Sequence, residues 1–389
     1  MRVGLIAPPW VPVPPPRYGG TEQVVADLAA GLTDRGHDVR LFTVGESTCD
    51  VPSHWLFDKA VTALNNNMAE AAHALTAYQV LADVDVIHDH TLIGPLVTDR
   101  SGPPVVTTNH GVFSDQARVI YREAARRAAV VAISHSQRAT APDVPVTAVI
   151  HHGIDLRRYA FGGGEGHFLL FVGRMSPDKG VHRAIRVARR AGRRLVLISK
   201  MREHDERAYF EEQVQPLLGP DVELVEELSA PERIAYLQEA TAVLNPICWS
   251  EPFGLVMAEA LSCGTPVLAF PNGAAPEIVD DGETGFLCAD EDAMVRAVSL
   301  VDAIDRRACR AAAEARFDRS RMAEDHERLY TQVLGRQAPE AAVAGLPAPR
   351  TQPAGNGLRL DLTSGLAGGV PAAHPPALPT GLATGEGPV

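Results

Sequence analysis

The segment Trp249–Ala260 carries two glutamates at a spacing suited to a ligand with phosphate and hydroxyl groups. Glu251 lies in a loop after a predicted strand, and Gly254 stands where a helix begins. A helix N-terminus has unsatisfied N–H donors and a partial positive charge, and glycine lets a ligand approach it closely. Glu259 follows about one and a half turns further along, within reach of a hydroxyl beside that phosphate. Taken alone, either glutamate is better explained as a solvated surface residue.

Two cations upstream form a second candidate group for binding an anion. Arg174 and Lys179 lie where a predicted strand ends and a helix opens. Structural salt bridges would explain this pair equally well. Lys200, after the next predicted strand, is a weaker candidate for the same site.

The first half of the chain adds a glycine pair and several histidines. Gly19 and Gly20 precede the first predicted helix, where they could hold an anion or form a plain tight turn. His110 opens a loop after a predicted strand, and capping that loop is its alternative role. His88 and His90 have a spacing that a metal site could use, but no third ligand stands out, so no metal site is predicted.

The elements that must position these residues alternate between strand and helix. The alternation begins with the strand Val3–Ala7 and includes a long predicted helix over about 58–82. The pattern restarts at the strand Phe168–Val172, after three consecutive glycines at 162–164. Alternating strands and helices favour parallel sheets covered on both faces, so the predicted fold class is α/β with two successive doubly wound units.

Composition and charge exclude several classes of function. The 389-residue chain holds 36 Lys and Arg against 48 Asp and Glu, a formal net charge of −12. Nucleic-acid binding needs basic surface, so no nucleic-acid partner is predicted, and the arginine-rich helix over 183–194 is interpreted as a solvated face. The sequence lacks a G-x-G-x-x-G turn after its first strand and a G-x-x-x-x-G-K-[ST] loop, which disfavours Rossmann dehydrogenases and P-loop NTPases.

The same composition favours a cytoplasmic protein. The five cysteines are scattered and show no metal-ligand spacing, so neither a disulfide framework nor a zinc site is expected. No apolar run approaches the ~20 residues of a membrane helix, and nothing like a secretory signal precedes the first strand. No integral membrane segment is therefore predicted.

The segment around Glu251 and Glu259 resembles the E-x7-E signature of family 4 retaining glycosyltransferases. The similarity continues through Leu261–Val267 and Pro276–Val279 and closes with Asp281–Leu287. This resemblance implies the GT-B fold, in which two Rossmann-like doubly wound domains face a central cleft and a C-terminal helix crosses back to the first domain.

The resemblance also implies roles for individual residues. It assigns Arg174 and Lys179 to the donor diphosphate, Glu251 and His110 to the transferred sugar, and Glu259 to the ribose. His151 and His152 depart from the Pro-Asn pair usual in the family, and no catalytic role is assigned to them. The implied catalytic residues are His110, Arg174, Lys179 and Glu251, and the implied donor-binding residues are Gly19, Gly20, Arg174, Lys179, Glu251, Phe253, Gly254, Leu255 and Glu259.

The predicted domains follow the same resemblance. Residues 1–157 form the acceptor-side domain, completed by a crossing helix over about 319–336. Residues 158–318 form the domain that binds the nucleotide sugar. Residues 337–389 are rich in Ala, Pro and Gly and poor in charge, so a disordered tail is predicted there.

The implied reaction is retaining transfer of a sugar from a nucleotide sugar to a hydroxyl acceptor that the sequence does not identify. UDP-hexose is the first candidate donor and GDP-mannose the second, with no metal and no other cofactor. Two alternatives stay open at this point. One is another GT-B enzyme, such as a phosphorylase or a sugar-nucleotide epimerase, and the other is a non-catalytic protein that binds a nucleotide sugar.

Overall fold

The computed structural model describes residues 1–17, 19–62, 66–98 and 101–337. Within these ranges the chain forms two parallel β-sheets, each covered by helices. The first sheet is built before residue 150 and the second after residue 167, in agreement with the two α/β units predicted from the alternating pattern.

The first sheet has seven strands within the described residues. In chain order they are β1 Arg2–Ile6, β2 Asp38–Thr43, β3 Ser53–Trp55, β4 Val86–Asp89, β5 Val105–Thr108, β6 Ala128–Ala132 and β7 Val146–Val149. In space the order is β3-β2-β1-β4-β5-β6-β7, and every neighbouring pair is parallel. The order reverses beside β1, which makes the sheet doubly wound.

Among the residues that the structure describes, the second sheet has six strands and is also doubly wound. They are β8 Phe168–Arg174, β9 Arg194–Lys200, β10 Val222–Val225, β11 Ala242–Asn245, β12 Val267–Ala269 and β13 Gly285–Leu287. Their order in space is β10-β9-β8-β11-β12-β13, with β8 at the reversal. Parallel neighbours require crossover connections, which the helices supply.

The helices cover the faces of both sheets with amphipathic surfaces. Along the helix 181–190, Val181, Ala184, Ile185 and Ala188 are buried, which is the spacing of one helix face. The helices are α1 Gly20–Asp34, α2 Asn67–Val80, α3 Gly94–Val97, α4 Asp115–Ala124, α5 His135–Ala139, α6 Val181–Arg190, α7 His204–Tyr209, α8 Ala230–Glu239, α9 Leu255–Ser262, α10 Ala275–Ile278, α11 Glu291–Val298, α12 Arg306–Phe317 and α13 Arg319–Gln337.

The last helix, α13, crosses from the second sheet back to the first. Its residues Met322, Ala323 and Tyr330 are buried in the same apolar cluster as Leu28 of α1. The guanidinium of Arg319 is almost fully buried and forms ion pairs with both Asp34 and Asp155. The crossing helix predicted over about 319–336 therefore falls on α13.

A second contact joins the two halves near the ends of their strands. The carboxylate of Glu277 in α10 accepts hydrogen bonds from the backbone N–H groups of His135, at 2.9 Å, and Ser136, at 2.7 Å. It also lies 2.7 Å from Nε2 of His151. Burial would raise the pKa of Glu277, but the hydrogen bonds from His151 and the amides outweigh it and hold the pKa below its ordinary value.

The predicted helix over about 58–82 is wrong at its N-terminal end. Residues 58–62 are irregular, and α2 begins only at Asn67. The side chain of Asn66 accepts a hydrogen bond from the backbone N–H of Ala69 at 3.2 Å, which caps the helix at this point. Asparagine favours this position because its short side chain satisfies a free N–H donor there.

The predicted domain boundary lies within the described residues, whereas the predicted tail lies almost wholly outside them. The predicted boundary at residues 157–158 lies between β7 and β8. The predicted disordered tail lies outside the described residues apart from Gln337, the last residue of α13.

A close approach of α1 and α13 gives a test of the crossing. A Cβ atom at Gly31 would lie 2.9 Å from the Cβ of Ala323 and 3.1 Å from the carbonyl oxygen of Arg319. We expect Gly31→Ala to destabilise the protein by about 1–3 kcal/mol, because the helices must separate. The measurement is the melting temperature of the full chain.

Gly335→Ala is the matched control, because a Cβ atom there meets nothing within 4 Å. Alanine at this helical position should stabilise the protein by about 0.5–1 kcal/mol. A Gly31→Ala variant that melts at or above the temperature of the unmodified protein would contradict the close packing of α1 on α13.

Candidate active site

A cavity of about 660 Å³ opens at the carboxyl ends of central strands of both sheets. Its wall includes His110, which follows β5, and Asn245, which ends β11. Ligands of open α/β sheets bind at this edge. With the exception of Arg174, the residues predicted for the site all line the cavity: Gly19, Gly20, His110, Lys179, Glu251, Phe253, Gly254, Leu255 and Glu259.

The glycine pair brings the first half close to the second. A Cβ atom at Gly20 would lie 3.5 Å from Cδ1 of Leu255, the first residue of α9. At Gly19 a Cβ atom would lie 2.6 Å from the Cβ of Pro15, so the loop has no room for a side chain there. The backbone of this loop therefore forms part of the cavity wall.

Lys179 and Glu251 meet directly in the wall of the cavity. The ammonium of Lys179 donates to the carboxylate of Glu251, which also accepts from the indole N–H of Trp249 at 3.0 Å. The ammonium lies 5.3 Å from the centre of the Trp249 ring. A lysine has three donors, so the bond to Glu251 leaves capacity for an anionic oxygen of a ligand.

The N-terminus of α9 supplies neutral donors beside this ion pair. Gly254 precedes the helix with φ of 99°, a conformation that favours glycine. Gly254, Leu255 and Val256 all line the cavity. The amides of a first helical turn have no partner within the helix, so this end of α9 is suited to an anion.

Glu259 is a buried carboxylate with one oxygen engaged. Its Oε1 accepts from the hydroxyl of Tyr159 and from the guanidinium of Arg233, both at 3.0 Å. Its Oε2 is buried and has no hydrogen-bond partner among the described residues. The charge of Glu259 raises the pKa of Arg233, against the effect of burial. The remaining oxygen is available to accept a hydrogen bond from a ligand hydroxyl.

His110 faces the cavity from the first half of the chain. The side-chain amide of Gln137 donates to the carbonyl oxygens of Asn109, at 2.9 Å, and Gly111, at 2.6 Å, and so fixes the loop. Burial lowers the pKa of His110 to about 3, which keeps the ring neutral at neutral pH. A neutral imidazole carries one donor and one acceptor nitrogen.

Comparison with models of known protein families identifies the family of this chain. The model of the family described as glycosyltransferase family 4 matches residues 18–158. The model described as glycosyl transferases group 1 matches residues 162–316. The chain belongs to glycosyltransferase family 4. It is therefore an enzyme of the transferase class, as the E-x7-E resemblance implied.

Curated relatives of this glycosyltransferase carry transferase names. A phosphatidyl-myo-inositol mannosyltransferase from Mycolicibacterium smegmatis is 25% identical over 374 residues, covering 86% of this chain and 95% of the relative. A D-inositol 3-phosphate glycosyltransferase from Mycobacterium leprae is 25% identical over 341 residues, covering 69% of this chain and 76% of the relative. Neither is named as a phosphorylase, an epimerase or a binding protein.

Solved structures give the same fold. AviGT4, a glycosyltransferase involved in avilamycin A biosynthesis, is 28% identical with a TM-score of 0.65, covering 86% of this chain and 98% of its own. HepE from Anabaena, solved in complex with UDP and glucose, is 21% identical with a TM-score of 0.67, covering 85% of this chain and 99% of its own. The two sheets of this glycosyltransferase thus have the predicted GT-B architecture.

Arg174 is the predicted site residue that the structure does not place in the cavity wall. Its guanidinium donates to the carboxylate of Asp178, with 3.3 Å between Nη2 and Oδ2. Its role at the diphosphate stays a prediction. The cations that do line the wall are Arg17, Lys179, Lys200, Arg202 and Arg233.

Several residues in or beside the cavity wall of this glycosyltransferase were missed by sequence reasoning. Arg233 and Tyr159 meet Glu259 across sequence separations of 26 and 100 residues, which no local spacing reveals. Glu22 also lines the cavity, and burial raises its pKa to about 7. Its position directly after the glycine loop was the one available signal.

The described residues contain no group of three His, Cys, Asp or Glu side chains placed to hold a metal ion. Asp83 and Asp85 have the Asp-x-Asp spacing of a metal-binding motif, but each pairs with an arginine. Asp83 accepts from Arg40 at 2.9 Å, and Asp85 accepts from Arg2 at 2.7 Å. Both carboxylates lie at the amino-terminal end of β4, opposite the carboxyl ends of the strands that border the cavity.

Two further surfaces bear on the predicted partners of this glycosyltransferase. Four arginines of the arginine-rich segment lie within 4 Å of acidic side chains: Arg183, Arg186, Arg189 and Arg190. These carboxylates weaken the positive potential that an anionic polymer would meet on this surface. Among the helices that the structure describes, none has both the length and the apolar character needed to cross a bilayer.

The conformation of Gly254 tests the anion-binding role of α9. A Cβ atom there would lie 2.4 Å from Cε of Met257, and the alanine would have to adopt a left-handed backbone conformation. We expect Gly254→Ala to lower the transfer rate by about 10-fold or more, because the first amides of α9 must shift. The measurement is the steady-state rate with the preferred donor.

Gly282→Ala is the matched control for this test. Gly282 has a similar φ of 80°, but a Cβ atom there meets nothing within 4 Å. Both variants should lose about 1–2 kcal/mol of stability, since both place alanine in the left-handed region. Equal transfer rates in the two variants would show that α9 does not bind the donor.

Proposed function

We propose that this glycosyltransferase moves a hexosyl group from a nucleotide sugar to a hydroxyl group of an acceptor, with retention of anomeric configuration. UDP-hexose is the first candidate donor and GDP-mannose the second. The proposed enzyme uses no metal ion or other cofactor and acts in the cytoplasm. The described cysteines are all free thiols, which agrees with a reducing compartment.

The observation that carries this proposal is the set of complementary groups on one wall of the cavity. The N-terminus of α9 and the ammonium of Lys179 suit a diphosphate, and the free oxygen of Glu259 suits a ribose hydroxyl. A nucleotide sugar carries these groups in one molecule. HepE, which shares the fold, has been solved with UDP-glucose, and the relative from Mycolicibacterium smegmatis is named a mannosyltransferase. The first name is consistent with UDP-hexose as the first candidate donor, and the second is consistent with a mannosyl donor as the second candidate.

The proposed chemistry is charge stabilisation at the leaving group. The bond between the anomeric carbon and the diphosphate oxygen breaks, and the acceptor oxygen bonds to the same face of that carbon. The proton of the acceptor hydroxyl passes to the departing diphosphate. The diphosphate gains negative charge as it leaves, so Lys179 and the amides of α9 act where charge develops.

Positioning of the sugar is the second proposed contribution. Glu251 lies beside the diphosphate site, and His110 lies on the wall contributed by the first half of the chain. Hydrogen bonds from both walls would hold the anomeric carbon between the diphosphate and the acceptor. Such orientation lowers the barrier without a covalent intermediate on the enzyme.

A panel of donors tests the proposed substrate class. The full-length protein should melt at a higher temperature with UDP-glucose than with GDP-mannose, ADP-glucose or dTDP-glucose at equal concentration. A ligand at 100 times its Kd stabilises the native state by about 2.7 kcal/mol. The measurement is a thermal-shift series for each nucleotide sugar.

Glu259→Gln serves as the matched variant in the panel. It keeps the size of the side chain but removes the charged acceptor, so the shift produced by UDP should require about 10- to 100-fold more ligand. If no nucleotide sugar raises the melting temperature of the unmodified protein, the proposed donor class is wrong.

Metal independence and the role of Lys179 can be tested together. Transfer should persist in EDTA, because the cavity wall itself supplies cations to the diphosphate. Lys179→Ala should lower turnover by about 100-fold or more, since a cation is lost where charge develops. Lys59→Ala, at an exposed lysine outside the cavity wall, is the control and should retain full turnover.

Two results would contradict this account of the diphosphate site. One is activity that vanishes in EDTA and returns with Mg²⁺ or Mn²⁺. The other is a Lys179→Ala variant with the turnover of the unmodified enzyme.

A further inference from the structure

A buried histidine behind the cavity contacts the histidine that lines it. Nδ1 of His90 lies 2.9 Å from Nε2 of His110. His90 directly follows β4, is buried, and is absent from the cavity wall, whereas His110 forms part of that wall. His90 can therefore act on a ligand through the ring of His110, without contacting the ligand itself.

The ring of His90 packs against the ring of His88, whose orientation is fixed by hydrogen bonds. The rings of His88 and His90 are 4.1 Å apart between their centres. Both nitrogens of His88 are engaged, with Nδ1 at 2.7 Å from the hydroxyl of Tyr330 and Nε2 at 2.7 Å from the hydroxyl of Thr108. Tyr330 belongs to the crossing helix α13, so this helix indirectly holds His90 in place.

The hydrogen bond between the two histidines couples their tautomers. Burial lowers the pKa values of both rings, so each is neutral and carries a single N–H proton. One of these protons lies in the bond between the rings. If His90 donates from Nδ1, the proton of His110 is on Nδ1; if His110 donates from Nε2, the proton of His90 is on Nε2.

The surroundings of the two outer nitrogens favour the first arrangement. Neither Nε2 of His90 nor Nδ1 of His110 has a partner among the described residues. A buried N–H without an acceptor is rarer and more costly than a bare nitrogen. Both nitrogens are buried, but the ring of His110 borders the cavity that a ligand can enter, and the ring of His90 does not. The arrangement that places the free N–H on His110 avoids an unpaired donor on His90.

We propose that His90 is a positioning residue that holds His110 in the Nδ1-protonated tautomer, so that His110 donates a hydrogen bond to an oxygen of the transferred sugar. This role rests on the proposed function, in which His110 contacts the sugar of the donor. The oxygen that receives the bond belongs to a hydroxyl group acting as acceptor. His90 thereby determines which hydrogen-bonding group the cavity offers to the sugar, without touching it.

Variants at His90 separate this role from simple packing. His90→Leu removes the bond to His110, whereas His90→Asn places an amide N–H near the position of Nδ1 and can still donate. His326→Leu is the matched control. His326 is similarly buried, and its ring centre is 4.9 Å from that of His88, but it has no hydrogen bond to His110.

The experiment measures ring ¹⁵N shifts of His110, turnover, KM and UDP affinity in the full-length protein. In the unmodified protein and in His90→Asn, Nδ1 of His110 should be protonated. In His90→Leu the preference should be lost and kcat with UDP-glucose should fall by about 10- to 100-fold, with UDP affinity within about twofold. His326→Leu should lower the melting temperature and keep kcat within about threefold.

Several outcomes would overturn the proposal. His110 could keep the same protonated nitrogen in His90→Leu, or be protonated on Nε2 in the unmodified protein. His326→Leu could lose as much turnover as His90→Leu, which would make the effect one of packing. The ¹⁵N measurement needs no donor, so its result is independent of whether UDP-glucose proves to be the substrate.

Discussion

The candidate site depends on holding two separately built sheets with their carboxyl edges around one cavity. Neither sheet has the complete set of groups, because the glycine loop and His110 belong to the first and Lys179 and Glu259 to the second. The chain meets this requirement because its last helix, α13, returns from the second sheet to the first. Helix α13 inserts apolar side chains beside α1 and buries Arg319 between two carboxylates. A buried arginine needs carboxylate partners, so charge pairing adds to apolar packing in fixing the position of α13.

The second constraint is electrostatic, because the proposed donor brings phosphate groups into the cavity of an acidic protein. Four of its charged residues form two ion pairs, Lys179 with Glu251 and Arg233 with Glu259. Pairing stabilises these side chains while no ligand is bound. A diphosphate would share Lys179 with Glu251, and the amides of α9 would add donors that carry no competing carboxylate. Under the proposed function, a diphosphate would thus bind without leaving a buried charge uncompensated.

The histidines give the first half of the site a different character. His88, His90 and His110 are neutral because burial lowers their pKa values, so in the proposed site His110 would contact the ligand through a directed hydrogen bond rather than through charge. The contact of His88 with Tyr330 connects this wall to α13. The same helix that joins the two halves thus also supports the side of the cavity where the sugar is proposed to lie.

Much of this protein was predictable from local sequence. The alternation of strands and helices, the glycine before α9 and the E-x7-E segment are properties of short stretches, and they were sufficient for the fold class, the family and the glutamates of the cavity. The start of α2 was misjudged, because an asparagine cap decides where that helix begins. Tertiary structure alone decided that Arg233 and Tyr159 hold Glu259 and that His90 lies behind His110. These contacts join residues from different elements, and such contacts depend on how sheets and helices pack, which periodicity and spacing along the chain do not encode.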